Sequence, residues 1–235
     1  MSVSRLMQMG AAGERDPNFT NVSLLLHGDG TSGSTTITDS SLNSITVTAN
    51  GNAQIDTAVK KLGTGSIKFD GTGDYLSIDG TSYPIDLSGD FTIEFFVRHA
   101  DLTTANQKYL DLRESGVGDT TNYILIDHNL NFRIFIDGGD RLSGGAGAAT
   151  VNTWYHIAVV RNGTSIKYFL DGTEELDYTQ STPKDYTLDY SWVIAINGDL
   201  RDRNYLNGYL DELRISSTAR YTSNFTAPTA PFPNF

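Results

Sequence analysis

The sequence predicts an all-β chain folded as an antiparallel two-sheet jelly-roll sandwich. Three observations carry this. Eleven short runs rich in β-branched and aromatic residues follow one another between Val22 and Ser216, most of them closed by Gly, Asn or Asp. Five Asp-Gly pairs, at 29–30, 70–71, 79–80, 137–138 and 171–172, supply the positive-φ chemistry of tight hairpins. No helical segment stands between the runs, as a parallel α/β fold would require. At 235 residues the chain suits one large all-β domain. We read a body over 21–217, a short N-terminal arm over 1–20 and an extended C-terminal tail over 218–235.

The arm holds all three methionines, Met1, Met7 and Met9. Val3, Leu6, Met7 and Gly10 follow helical spacing, but Gly10 and Gly13 stop a helix within about two turns. Leu6, Met7 and Met9 are adaptable apolar residues suited to an interface with a neighbouring protein; the alternative is a frayed terminus. The body opens with "VSLLLHG", "SITVTA", "SIKFDG" and "DYLSIDG". In "FTIEFFVRH", Phe91, Ile93, Phe95 and Val97 share one face, and Thr92, Glu94 and Arg98 the other, where Phe96 interrupts the polar set. "NYILIDH", "NFRIFIDG" and "TSIKYFLDG" continue the series, while "WYHIAVVRN" and "SWVIAING" are apolar on both faces, as central strands covered on both sides require. Two loops depart from tight turns: the Gly-rich 138–153 and the charged 198–208.

The last strand, "YLDELRIS", poses a question. Alternation places Asp211 on the face of Tyr209, Leu213 and Ile215, so it is expected to look inward. A carboxylate there must be neutralised, hydrogen-bonded to backbone amides, paired with an Arg or bound to a metal, unless a bulge turns it outward. In the tail, Pro228, Pro231 and Pro233 keep the chain extended, and Phe225, Phe232 and Phe235 can clip it onto the body or a neighbour.

Composition excludes several classes. A net charge of −11 without a basic run argues against a nucleic-acid partner. Much of that charge belongs to turns, since Asp outnumbers Glu by 22 to 6. Cysteine is absent, which removes disulfides, thiolate nucleophiles and Cys-based zinc sites. No apolar run reaches the ~20 residues of a membrane helix, and the opening segment reads as mature sequence. The six Glu (14, 94, 114, 174, 175 and 212) form no paired-carboxylate spacing, and there is no G-x-S-x-G elbow, so no enzyme is expected. The four His (27, 99, 128 and 156) lie on separate strands; His156 reads as a packed, hydrogen-bonded core residue.

"LLLHGDG", "GTGSIKFDGTGDYLSI", "FTIEFFVR", "WYHIAVVRNGTSIKYFLDG" and "NGYLDELRIS" occur in the order of concanavalin A-like, laminin G-like jelly rolls, which residues 21–217 resemble. The resemblance implies one structural Ca²⁺ between first and last strands, at Asp29 and Asp211. It also implies a shallow sugar site in loops, with Asp202, Asn204 and Tyr205 as candidates and Arg113 and Asp119 as a second set. The ends, "SRLMQMGAAG" and "ARYTSNFTAPTAPFP", resemble those of marine phage virion and tail proteins. That likeness implies a virion structural protein, a head decoration or tail-fibre module. Its arm would bind other virion proteins, its interface would use Leu6, Met7, Met9, Phe232 and Phe235, and it would contact cell-surface glycans, as a monomer or homo-oligomer. The alternative reading is a free carbohydrate-binding lectin with a structural calcium ion.

Overall fold

The computed structural model describes residues 15–116, 123–129, 131–136, 139–142, 147–200 and 204–235. After a 3-10 turn at Phe19–Asn21 come β1 (Val22–Leu26), β2 (Thr36–Ile37), β3 (Val47–Asn50), β4 (Gln54–Asp56), β5 (Ser66–Asp70) and β6 (Tyr75–Asp79). Next are β7 (Phe91–His99), β8 (Gln107–Asp111), β9 (Ile124–Asn129), β10 (Asn131–Ile136) and β11 (Gly139–Leu142). The chain finishes with β12 (Trp154–Asn162), β13 (Ser165–Leu170), β14 (Thr173–Thr179), β15 (Ser191–Ile194) and β16 (Asn207–Ser216). No helix among the described residues is long and apolar enough to cross a membrane.

These strands form two eight-stranded antiparallel sheets, the two-sheet sandwich that the alternation predicts. The first has the order β14-β13-β12-β7-β16-β5-β4, with β1 also on β16; the second has the order β11-β10-β9-β8-β15-β6-β3-β2. Between them Phe91, Ile93, Phe95, Val97, Ile157 and Leu210 pack with residues of the second sheet such as Leu110, Ile126, Ile134 and Trp192. Full burial of each such side chain is worth about 1.5–3 kcal/mol, which sets the inward face of every strand. The β13–β14 hairpin turns on Asp171 and Gly172 with φ of 49° and 82°, as its Asp-Gly sequence prescribes.

The outer face of the first sheet is also covered. Phe232 is buried with Phe19, Val22 and Leu25, and Tyr221 and Phe225 pack on Ala158, Val160 and Phe169. The tail is therefore a strap across this sheet, entering at Gly172, where a Cβ would stand 2.0 Å from the Phe225 carbonyl oxygen. Residues 15–20, read from sequence as part of the arm, belong to the packed body: Asp16 and Phe19 are buried, and the Asp16 amide donates to the Phe235 carbonyl. The strap explains why Glu94, on the face read as polar, is fully buried. Burial alone would raise its carboxyl, but Arg214 at 2.7 Å and His156 bring it down to about 2. The Tyr221 hydroxyl donates to the same carboxylate, and Arg214 and Arg220 both reach Asp16. His156 packs on the strap side of the sheet, its Nε2 3.3 Å from Glu94.

Candidate functional site

On the outer face of the second sheet, residues that the sequence left unmarked come together. Strand register aligns Lys108, Asp127 and Arg133 in one row across β8, β9 and β10. Asp127 is inaccessible and lies between the two cations. Lys108 Nζ contacts its Oδ2, and Arg133 donates from Nε at 2.8 Å to Oδ1 and from Nη2 at 2.6 Å to Oδ2. A buried carboxylate of this kind is tolerated because both its oxygens are met by charge-assisted donors. The Arg133 guanidinium also stands 4.6 Å over the Phe135 ring and reaches the Asn106 side chain at 3.3 Å. It remains partly open to solvent, so this row ends in a cation and an aromatic face at the surface.

A second constellation adjoins it. Asp111, on β8, accepts from Arg113 Nε at 2.9 Å and from the Gly198 amide at 2.7 Å, and Arg113 Nη2 reaches Asn197 at 2.5 Å. The Arg113 guanidinium lies 4.9 Å over the Tyr123 ring. Arg113, a sequence candidate for sugar contact, is thus turned onto Asp111 and ties two loops together.

Of the sequence-predicted sugar residues, Asn204 and Tyr205 sit at this site, half-buried. The Asn204 carbonyl accepts the Lys108 amide at 3.2 Å, which joins their loop to the charged row. Asp202 and Asp119 lie outside the described residues. Lys108, Asp127 and Arg133 were missed, yet one signal was available. Asp127 and Arg133 stand symmetrically about the tight β9–β10 turn, so hairpin pairing places them opposite each other.

The expectation that Asp211 looks inward with Leu213 and Ile215 is overturned. β16 carries a bulge between Asp211 and Arg214, with Glu212 at φ 51°. The extra residue shifts the alternation, so Asp211 pairs with Phe96 on the outer face while Leu213 and Ile215 keep the core. Its Oδ2 accepts the amides of Lys61 and Leu62 at 2.6 and 3.0 Å. Asp29 takes the next segment of the same loop, accepting Thr64 N at 2.5 Å and Gly65 N at 3.1 Å. Asp211 Oδ1 is buried without a partner. Burial, opposed by the two amides and reinforced by the charges of Glu212 and Asp29, pushes this carboxyl up to about 7. Glu212 faces His27 Nδ1 at 2.9 Å and accepts the Phe232 amide at 2.9 Å. An orphaned carboxylate oxygen beside a second carboxylate fits a hard cation. Among the described residues no three His, Asp or Glu side chains gather as a metal-binding group, so the ion would rest on Asp29 and Asp211 with backbone carbonyls and water.

Of the expected interface residues, Leu6, Met7 and Met9 lie outside the described residues. Phe232 faces its own chain, 5% exposed with Arg214 3.7 Å over its ring, whereas Phe235 is 49% exposed. A groove of about 560 Å³ opens there between Arg15, Arg220 and the Pro-rich strap.

Residues 70–223 match the model of the concanavalin A-like lectin/glucanases superfamily. No curated protein sequence matches the chain. Similar solved structures include the ligand-binding domain of botulinum neurotoxin serotype D in complex with N-acetylneuraminic acid, at 13% identity and TM-score 0.64 over 86% of this chain and 49% of that one. The binding domain of Paraclostridial mosquitocidal protein 1 is 16% identical, with TM-score 0.62 over 86% of this chain and 50% of that one. Domain 4 of AbnA, an extracellular arabinanase from Geobacillus stearothermophilus in complex with arabinotriose, is 16% identical, with TM-score 0.55 over 85% and 93%. The chain spans about half the length of the toxin binding domains it matches.

Proposed function

This chain belongs to the concanavalin A-like lectin/glucanases superfamily, and on that premise we propose that it is a non-catalytic glycan-binding module. The observation that carries the reading is the Lys108–Asp127–Arg133 row, which ends in an accessible guanidinium beside Phe135 and is flanked by the loop of Asn204 and Tyr205. Convergent polar groups beside aromatic rings are what a sugar site needs. Asp111 and Asp127 are each ion-paired, a structural use of both carboxylates that accords with a binding role. The sugar complexes of the serotype D toxin domain and of the arabinanase domain support the class of ligand. The test is calorimetric titration of the full chain with sialyllactose and with arabinotriose. Binding to either that falls about tenfold or more in Arg133→Gln and Tyr205→Ala supports the site; binding indifferent to both substitutions refutes it.

A structural calcium ion at Asp29 and Asp211 is part of this reading, supported by the orphaned Asp211 oxygen. Calcium should raise the melting temperature relative to chelator, and Asp211→Ala should abolish that difference. A difference of the same size in the variant places any ion elsewhere.

Display on a phage virion is a second reading. It is supported by the likeness of the chain's ends to phage virion proteins and by the contact between Asp16 and Phe235, which brings both ends of the described body to one place. A module held there presents the rest of its surface outward, with the arm touching other virion proteins and the sheet face touching cell-surface glycans. Co-expression with particle proteins tests it: incorporation that survives deletion of residues 1–14 counts against attachment through the arm.

A further inference from the structure

The upper end of the first sheet, beyond the reach of the strap's two aromatic clusters, carries a second row. Register aligns Trp154 of β12, Arg98 of β7, Tyr209 of β16 and Lys68 of β5 directly across four strands on the outer face. Trp154 and Tyr209 have ring centroids 6.4 Å apart, and the Arg98 guanidinium stands 5.4 Å over the Tyr209 ring. Tyr209 is 8% exposed and acts as the bed on which Arg98 lies; Trp154, Arg98 and Lys68 are each half-buried, with part of their surface in solvent.

What sets this row apart is its charge. Among the described residues, Arg113, Arg133, Arg214 and Arg220 are ion-paired, and Arg161 donates to the carbonyls of Leu87, Gly89 and Lys184. Lys60 donates to the Thr57 carbonyl, Lys61 lies over the Phe96 ring, and Arg15 is exposed at the start of the body. Among the described residues Arg98 makes the Tyr209 ring contact but no ion pair or side-chain hydrogen bond, and Lys68 forms no ion pair. The nearest acid along β5, Asp70, is engaged with Asn52 and with the Thr72 amide. In a chain of net charge −11, where acids are plentiful, two cations left without an ion pair in one row form a local positive patch that favours an anionic partner.

We infer that this row is a binding site for an acidic, carboxylate-bearing oligosaccharide. The Trp154 indole offers an apolar face to a sugar ring. A guanidinium anchored over a tyrosine ring and without an ion pair has N–H donors available for a carboxylate. Arg98 and Lys68 are two strand spacings apart, about 10 Å, so they meet acidic groups on different sugars of one chain. The site is on the opposite sheet from the Lys108–Asp127–Arg133 row and stands whether or not that row binds sugar.

The experiment titrates the full chain with oligogalacturonate and, in parallel, with its fully methyl-esterified form, following tryptophan fluorescence. Of the two tryptophans Trp192 is wholly buried, so Trp154 reports. Saturable change with the acid and at least about tenfold weaker response to the ester is expected, with Arg98→Gln and Lys68→Gln each weakening the acid about tenfold and leaving the fold intact. Absence of saturable change in the parent chain overturns the inference. Equal response to acid and ester, or binding unaffected by Arg98→Gln, also overturns it. Loss on Tyr205→Ala without loss on Arg98→Gln transfers the binding to the second sheet, which sinks this site and supports the other.

Discussion

Phe232→Ala tests whether the C-terminal segment is part of the fold. Phe232 is 5% exposed, lies on Phe19, Val22 and Leu25, and has the Arg214 guanidinium 3.7 Å above its ring. Truncating a core Phe costs about 3–5 kcal/mol. This cluster is a small satellite of the core, which argues for the lower end, and the lost cation–π contact adds roughly 1 kcal/mol. A total of about 4 kcal/mol corresponds to a melting temperature lowered by about 8–16 °C in a chain of this size. Differential scanning calorimetry reads it, and chymotryptic cleavage after Phe225 should accelerate in parallel. Phe235→Ala is the internal control: at 49% exposure it should change stability by no more than about 0.5 kcal/mol. A Phe232→Ala melting temperature within about 2 °C of the parent would refute the reasoning, because the ring would then contribute no packing to the body.

Three further outcomes follow from contacts elsewhere in the fold. His99, closed in by Tyr109 and Gln107, is driven down to about 4 by burial and by the neighbouring His128, whereas an unfolded histidine titrates near 6.5. The unfolded chain therefore takes up the proton first. Stability is full above about pH 6.5 and falls by about 3 kcal/mol as the pH drops to about 4; urea denaturation should show a shallower slope in His99→Gln, and an identical slope would discount this histidine. Gly172→Ala puts a Cβ 2.0 Å from the Phe225 carbonyl oxygen at a φ of +82° and should cost about 1–3 kcal/mol in chemical denaturation; an unchanged midpoint would mean that the strap does not approach the hairpin. Glu94→Gln removes the carboxylate charge that faces Arg214 under the strap, which should cost about 3 kcal/mol on thermal unfolding, and a neutral result would assign the pair no role in stability.

The fold was legible because it rests on local chemistry repeated many times. Alternation set the inward residues of β7, and Asp-Gly set the β13–β14 turn. What was not legible depended on single long-range facts. One inserted residue at Glu212 reversed the parity of β16 and carried Asp211 to the opposite face from the one its spacing implies. Glu94 looked like a solvent-facing residue because nothing local says that Tyr221, well over a hundred positions later, will cover it. The sugar candidates Asn204 and Tyr205 were visible as loop residues, but the charged row that gives them a context required strand register across β8, β9 and β10.

The placement of the arginines follows from the same covering of surfaces. Where the strap or a loop closes over a sheet, several buried carboxylates are met by an arginine: Arg113 at Asp111, Arg133 at Asp127, and Arg214 at Glu94 and Asp16. This internal use removes positive charge from the surface of a molecule that already carries −11. An acidic glycan approaching at random is therefore repelled over most of the surface and meets unneutralised cations at the Trp154–Arg98–Tyr209–Lys68 row. Added salt weakens that attraction and the general repulsion together. Binding at this row should then depend less steeply on ionic strength than two cations on a neutral protein would, and an ordinary two-cation salt slope would show that the chain's acidic field does not reach the site.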